Sequence, residues 1–175
     1  MRWFRRRRAE PASISGAFES DQLLEVGPFA TFGEFFGKLS KEQWDALEDL
    51  IARIDAHEGA FGRVEVVNPA TGELTLGFSE FEPITEELFS LWPGGRLRET
   101  DDFTRLIPNA SPALSTRDPD DVAGFSSEEA LVAVLWIMAK ERMWPGIIVY
   151  TLEWGVMSAL LTRIVSARPE SASRA

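Results

Sequence analysis

"SSEEALVAVLWIMAKERMWPGIIVYTLEWG", residues 126–155, decides how the chain folds. Ser126, with Glu129 three residues on, makes a capping box, the reciprocal hydrogen bonding that opens a helix. Leu131, Leu135 and Met138 then recur at helical spacing. Pro145-Gly146 stops that helix, because proline lacks an amide donor and glycine tolerates the backbone turns other residues resist. A second helix runs from about 147 to 167. Each uninterrupted apolar run is only about ten residues, short of the roughly 20 a spanning helix needs. The stretch therefore predicts a buried helical hairpin rather than a membrane segment.

One residue in it stands out. On a helical wheel Glu153 falls among Val149, Tyr150, Val156, Met157, Leu160 and Ile164, with the smaller Thr151, Gly155, Ser158, Ala159 and Thr162 opposite. Arg142 falls on the stripe of Leu131, Leu135 and Met138. An ionised carboxylate buried without a partner is too costly, so Glu153 must be paired or protonated. The pattern predicts a buried ion pair, Arg142 with Glu153. The catalytic reading of the same carboxylate, a general acid with a raised pKa, needs a cleft and a second acid. Asp101, Asp102 and Asp118 are the carboxylates on offer, and nothing in the sequence selects among them.

Outward from this core, the chain begins "MRWFRRRR", where Arg2, Arg5, Arg6, Arg7 and Arg8 supply five of the 18 basic residues. The remaining chain holds 13 bases against 28 acids, a net charge of −15. Such a body repels phosphates, so any contact with nucleic acid or an anionic surface has to use this arm. No long apolar run follows the arginines, and neither a secretory nor a twin-arginine signal is read. With no cysteine, disulfides, thiolate metal sites and cysteine nucleophiles are excluded, and a cytoplasmic location is the simplest expectation.

Between arm and hairpin the signals are local. "GPFATFGEFFGKL" predicts short helical turns with Phe29, Phe32, Phe35 and Phe36 in the core. Ser40 with Gln43 opens a helix over 41–57, with Trp44, Leu47, Leu50, Ile51 and Ile54 on one face. His57, the only histidine, lies at its end, where a structural role suits the helix dipole. "RVEVVN" and "ELTLGFSEF" predict a strand pair joined by "NPATG", and Pro83 opens a short helix stopped by "PGG". Residues 93–125 read as a long irregular segment with one short helix at "DDFTRLI".

The motifs of common catalysis are missing: no GxSxG, HExxH, Walker A or GxGxxG occurs. "DPDDVAGFSSEE" places Asp118, Asp120 and Glu129 at positions of a calcium loop. It has Val122 and Ala123 where an oxygen ligand and a glycine are required, so no calcium site is expected.

Arg142, Met143, Pro145 and Gly146, then Glu153 and Gly155, then "LLTRI" at 160–164, follow one another in an order that resembles a bacterial family of uncharacterised proteins, a domain of unknown function. "FGRV" at 61–64 and "FSEFEPITEELFSLW" extend the likeness over about 48–166. The chain departs from it at Pro145, where the family has an acid, and at "DDF", the nearest match to its Phe-Asp-Trp-like element. The resemblance implies a shared fold and a shared Arg142/Glu153 pair, and no activity, cofactor or partner.

Together these readings predict an α+β fold: one mainly helical domain over 14–167 with a small antiparallel β-hairpin and a C-terminal buried helical hairpin. A basic arm over 1–13 and a tail over 168–175 flank it. No catalytic, cofactor or metal residues are expected. The expected function is that of a non-catalytic acidic interaction protein, of the immunity or phage-regulator sort, with a protein partner. The alternatives are a carboxylate-based hydrolase or transferase and, more weakly, tethering to nucleic acid or an anionic surface through the arginine arm.

Overall fold

The computed structural model describes residues 28–67, 74–92, 96–141 and 143–169. Its first helices follow the capping signals closely. Thr31 caps α1 (Phe32–Lys38), which buries Phe32, Phe35 and Phe36. The Phe32 amide donates to Asp102 Oδ2 at 2.9 Å, tying the start of α1 to a helix seventy residues away. In α2 (Lys41–Asp55) the capping box forms in both directions, with Ser40 N donating to Gln43 Oε1 and Gln43 N to Ser40 Oγ. Its buried face is Trp44, Leu47, Leu50, Ile51 and Ile54, the five residues that helical spacing selects. The helix closes at Asp55, leaving His57 just beyond its end.

Strands β1 (Gly62–Val67) and β2 (Leu74–Phe81) pair antiparallel, from Gly62 opposite Phe81 to Val67 opposite Leu74, with an irregularity between Glu65 and Val67. The expected turn at 68–72 lies outside the described residues. Two strands do not stand alone, and this ribbon leans on helices. A Cβ on Gly62 would meet Glu80 O at 2.5 Å and Val149 Cγ2 at 3.0 Å, so only glycine allows that approach. Pro83 occupies the first position of α3 (Pro83–Ser90), where its missing amide costs nothing. The buried Thr85 hydroxyl donates to Phe61 O at 2.7 Å, and Arg53 forms a two-pronged pair with Glu87 at 2.8 and 2.6 Å, joining α2 to α3.

The segment expected to be irregular over 93–125 is largely helical where described. Thr100 caps α4 (Asp101–Ala110), and 3-10 turns cover Arg96–Glu99, Ser111–Leu114 and Pro119–Val122. Proline misled the reading because Pro112 and Pro119 sit in the opening positions of their turns, where a fixed φ favours helical geometry. Leu97, Leu106, Ala110, Ala113 and Val122 are buried, so this segment is a wall of the core.

The C-terminal part also differs from the expected two helices. Helix α5 (Ser127–Lys140) carries the predicted capping box and buries every residue from Ala130 to Leu135. After Pro145-Gly146 come α6 (Ile147–Glu153) and α7 (Val156–Val165), bent by 81° at a break the sequence reading took as continuous helix. The cause is Gly155, whose φ of 75° lies in the left-handed region that side chains resist. Helix α5 packs on α4 and α7, and α2 packs on α7. Arg168, assigned to the tail, instead falls on the folded side, with Nη2 2.6 Å from Asp45 Oδ1 and Nη1 2.8 Å from Glu48 Oε1. The architecture is a mainly helical α+β domain with one small antiparallel sheet.

Candidate functional site

The bend at Gly155 changes the meaning of Glu153. With α6 ending there, Glu153 no longer shares a face with Val156, Met157, Leu160 and Ile164, all of which are buried. Its side chain is exposed, which corrects the expectation of a buried carboxylate. Arg142, the expected partner, lies outside the described residues, as do Arg2, Arg5, Arg6, Arg7 and Arg8 of the arm.

Another carboxylate of this stretch takes a structural role. Glu141 Oε1 accepts from the Gly146 amide at 2.6 Å and Glu141 Oε2 from the Ile148 amide at 3.0 Å. Gly146 has no side chain to cap α6, so Glu141, just beyond the end of α5, satisfies two amides there. The same turn is pinned from outside, because a Cβ on Gly146 would fall 2.5 Å from Val64 Cγ2.

What this turn projects outward is aromatic. Met143 is 69% exposed, Trp144 55% and Tyr150 39%. Tyr150 on α6 and Trp154, the residue that caps its C-terminus, stack at 5.7 Å with planes 15° apart, and the Arg117 guanidinium covers Trp154 at 5.0 Å. Lys140 Nζ lies 5.8 Å from the Trp136 ring and 5.9 Å from that of Trp144. Cations over ring faces at such distances each contribute about 0.5–1 kcal/mol where water competes. Leu114, Trp144, Pro145, Ile147, Tyr150 and Trp154 line a shallow depression of about 180 Å³ in this surface.

The remaining candidates are placed elsewhere and are engaged locally. Asp102 accepts from Arg105 and from the Phe32 amide, and these two bonds hold its carboxyl below the ordinary aspartate range. Asp118 accepts from the Asp120 amide and opens a 3-10 turn, while Glu129 accepts from Ser126 N and Asn109, which lowers its pKa. The calcium-like spacing is thus used for two separate caps. Asp101 and Glu99 border a depression of about 440 Å³ with Phe29 and Thr100; Asp55 and Asp120 border one of about 420 Å³ with Ser158 and Arg163. Glu153 borders neither. His57 is half-buried against Phe61 at 4.7 Å, its Nε2 3.2 Å from Ala60 O.

Among the described residues, no group of three or more His, Asp or Glu side chains is arranged to hold a metal ion. No single described helix is long and apolar enough to cross a membrane; α6 and α7 reach that measure only together, across their bend. Compared with known proteins, the chain matches no family model, no curated relative and no solved structure.

Sequence reasoning missed the aromatic surface because it assigned residues 141–155 to the core. A signal was present. Tyr150 and Trp154 are four apart with Glu153 beside them, and that glutamate marks the side of α6 turned to water.

Proposed function

We propose that the protein is a non-catalytic binding protein whose contact surface is the aromatic face of the α5–α6 turn. One observation carries the reading: Met143, Trp144 and Tyr150, three of the four large hydrophobic side chains exposed among the described residues, fall within eight positions of one another. Contiguous exposed apolar patches rimmed by charge mark contact surfaces. Tyr, Trp, Met and Arg are also the residue types enriched at the centres of protein interfaces. Here Arg117, Lys140 and Glu153 supply a rim of both signs, which suits a protein partner better than a uniformly charged polymer. The carboxylate-enzyme alternative draws less support, since Asp102 and Asp118 are committed to amide and guanidinium hydrogen bonds.

The test is capture of a partner from the source cell by the full chain, followed by affinity measurement with Trp144→Ala and Tyr150→Ala. Each substitution is expected to weaken binding by at least about tenfold, as for an interface anchor, without lowering the melting temperature appreciably. A partner held equally by the double variant would sink the reading.

A further inference from the structure

A second surface feature borders the C-terminal half of α5. Phe81, Phe89, Trp92, Leu135 and Met138 form an apolar groove of about 280 Å³, with Arg98 on its border. Phe81 and Phe89 lie 6.2 Å apart along one wall, and Phe89 keeps 49% of its surface exposed. The volume is close to the lower end of the roughly 300–1,000 Å³ typical of ligand pockets, so an occupant has to be small.

Two donors near this groove have no acceptor among the described residues, but only one is open to it. The Trp92 side chain is only 4% exposed, yet its indole N–H is buried without a hydrogen-bond partner. Native proteins satisfy most such groups, and one left over calls for an explanation. Trp44 is in the same state, and because both indole N–H groups are closed off from solvent neither is offered to an occupant of the groove. Arg98, exposed at the border, is the donor open to the groove. Of the other arginines with described side chains, Arg53, Arg105, Arg163 and Arg168 hold oxygen acceptors, Arg117 covers Trp154 and Arg63 is also engaged. Among the described residues, Arg98 makes no hydrogen bond, ion pair or ring contact. Glu141 also borders the groove, but its oxygens are taken by the α6 amides.

We propose that this groove binds a small amphiphilic carboxylate, a medium-chain acyl acid in chemical class. The acyl body would lie on Phe81, Phe89, Leu135 and Met138, and the carboxylate would meet Arg98. A guanidinium at the rim of an apolar trough selects this combination: the chain gains from leaving water and the anion gains a forked partner. An alcohol of equal length offers only the first contribution, and acetate only the second.

Octanoate serves as the probe, titrated calorimetrically into the full chain alongside octanol and acetate. Saturable octanoate binding is expected, tighter than that of either control. Arg98→Gln should weaken octanoate by about tenfold or more, the size of a lost charge-assisted contact, and leave octanol unchanged. Ala139→Phe, which fills the groove without altering charge, should remove both, and thermal melts of each variant establish that it is folded. The proposal fails if octanoate shows no saturation, if octanol binds as tightly, or if the folded Arg98→Gln and Ala139→Phe variants bind octanoate like the parent. The aromatic turn is not part of this groove, so Trp144→Ala should bind octanoate normally.

Discussion

Two aromatic-rich stretches of this chain meet opposite fates. In α1, Phe32, Phe35 and Phe36 are buried, and a run of tilted ring contacts from Phe29 through Phe35 and Phe36 to Trp44 spans 5.3, 5.7 and 6.1 Å. At the α5–α6 turn, Trp144 and Tyr150 are exposed and the ring faces meet cations and one another. Phenylalanine has no polar atom and gains only by leaving water. Tyrosine and tryptophan carry a polar end and can work at a boundary, yet Trp44 is buried and Phe89 half-exposed. Aromatic content alone therefore does not locate the core; the neighbours of each ring do.

The comparison can be broken most forcefully by truncating one ring on each side. Phe35→Ala should destabilise the protein by about 3–5 kcal/mol, because its cavity lies among close-packed rings. Trp144→Ala should stay within roughly 0.5 kcal/mol, as exposed substitutions do. Equal losses in chemical denaturation would erase the distinction between core and contact surface.

Next in size are the glycines that shape the exposed turn. Gly146→Ala combines a φ of 93° with a Cβ 2.5 Å from Val64, so both strain and collision oppose it. A loss above about 2 kcal/mol is expected, since strained positions alone account for about 1–3. Gly155→Ala has a φ of 75° but open space around the new Cβ. Its cost should be about 1–2 kcal/mol, the left-handed penalty alone. A reversed order in urea melts would show that packing against Val64 does not hold the turn.

Glu141→Gln sharpens the point further, since it keeps one acceptor but removes the charge at the amides of Gly146 and Ile148. A loss of about 0.5–2 kcal/mol is expected, with the helical signal of the rest of the chain unchanged. No loss at all would mean that water caps α6 equally well.

The smallest effect is electrostatic and lies away from both aromatic regions. Arg53 holds Glu87 below the usual glutamate range of about 4.5. A carboxylate with a depressed folded pKa contributes stability above its unfolded pKa and loses it as pH falls through the folded value. Glu87→Gln should therefore flatten the acid limb of the stability curve below about pH 4.5, by no more than about 1 kcal/mol because the pair is half-exposed. An unchanged acid limb would show that the pair contributes nothing.

Much of this fold was legible because its signals are short-range. Ser40–Gln43 and Ser126–Glu129 announce α2 and α5, alternation announces the strands, and Pro83 announces α3. The break at Gly155 was not legible. A glycine inside an apolar run is tolerated in many helices, so its sequence context does not reveal that this one takes a left-handed φ. That single backbone choice moved Glu153 from an expected core position to the surface. The prolines of 93–125 misled in the opposite direction, since proline reads as a breaker whether it ends a helix or begins one. Of the candidate site, residue types were visible in the sequence, but their exposure was a tertiary property.

The corner at Gly155 has a consequence for how the chain packs. Ile147 to Val165 contains only Glu153 and Arg163 as charged residues, and together α6 and α7 meet the length and apolarity of a bilayer span. Folded, the corner divides this stretch into two short helices that contribute to one core. It thus splits one long apolar stretch so that the buried faces of the two helices can pack separately.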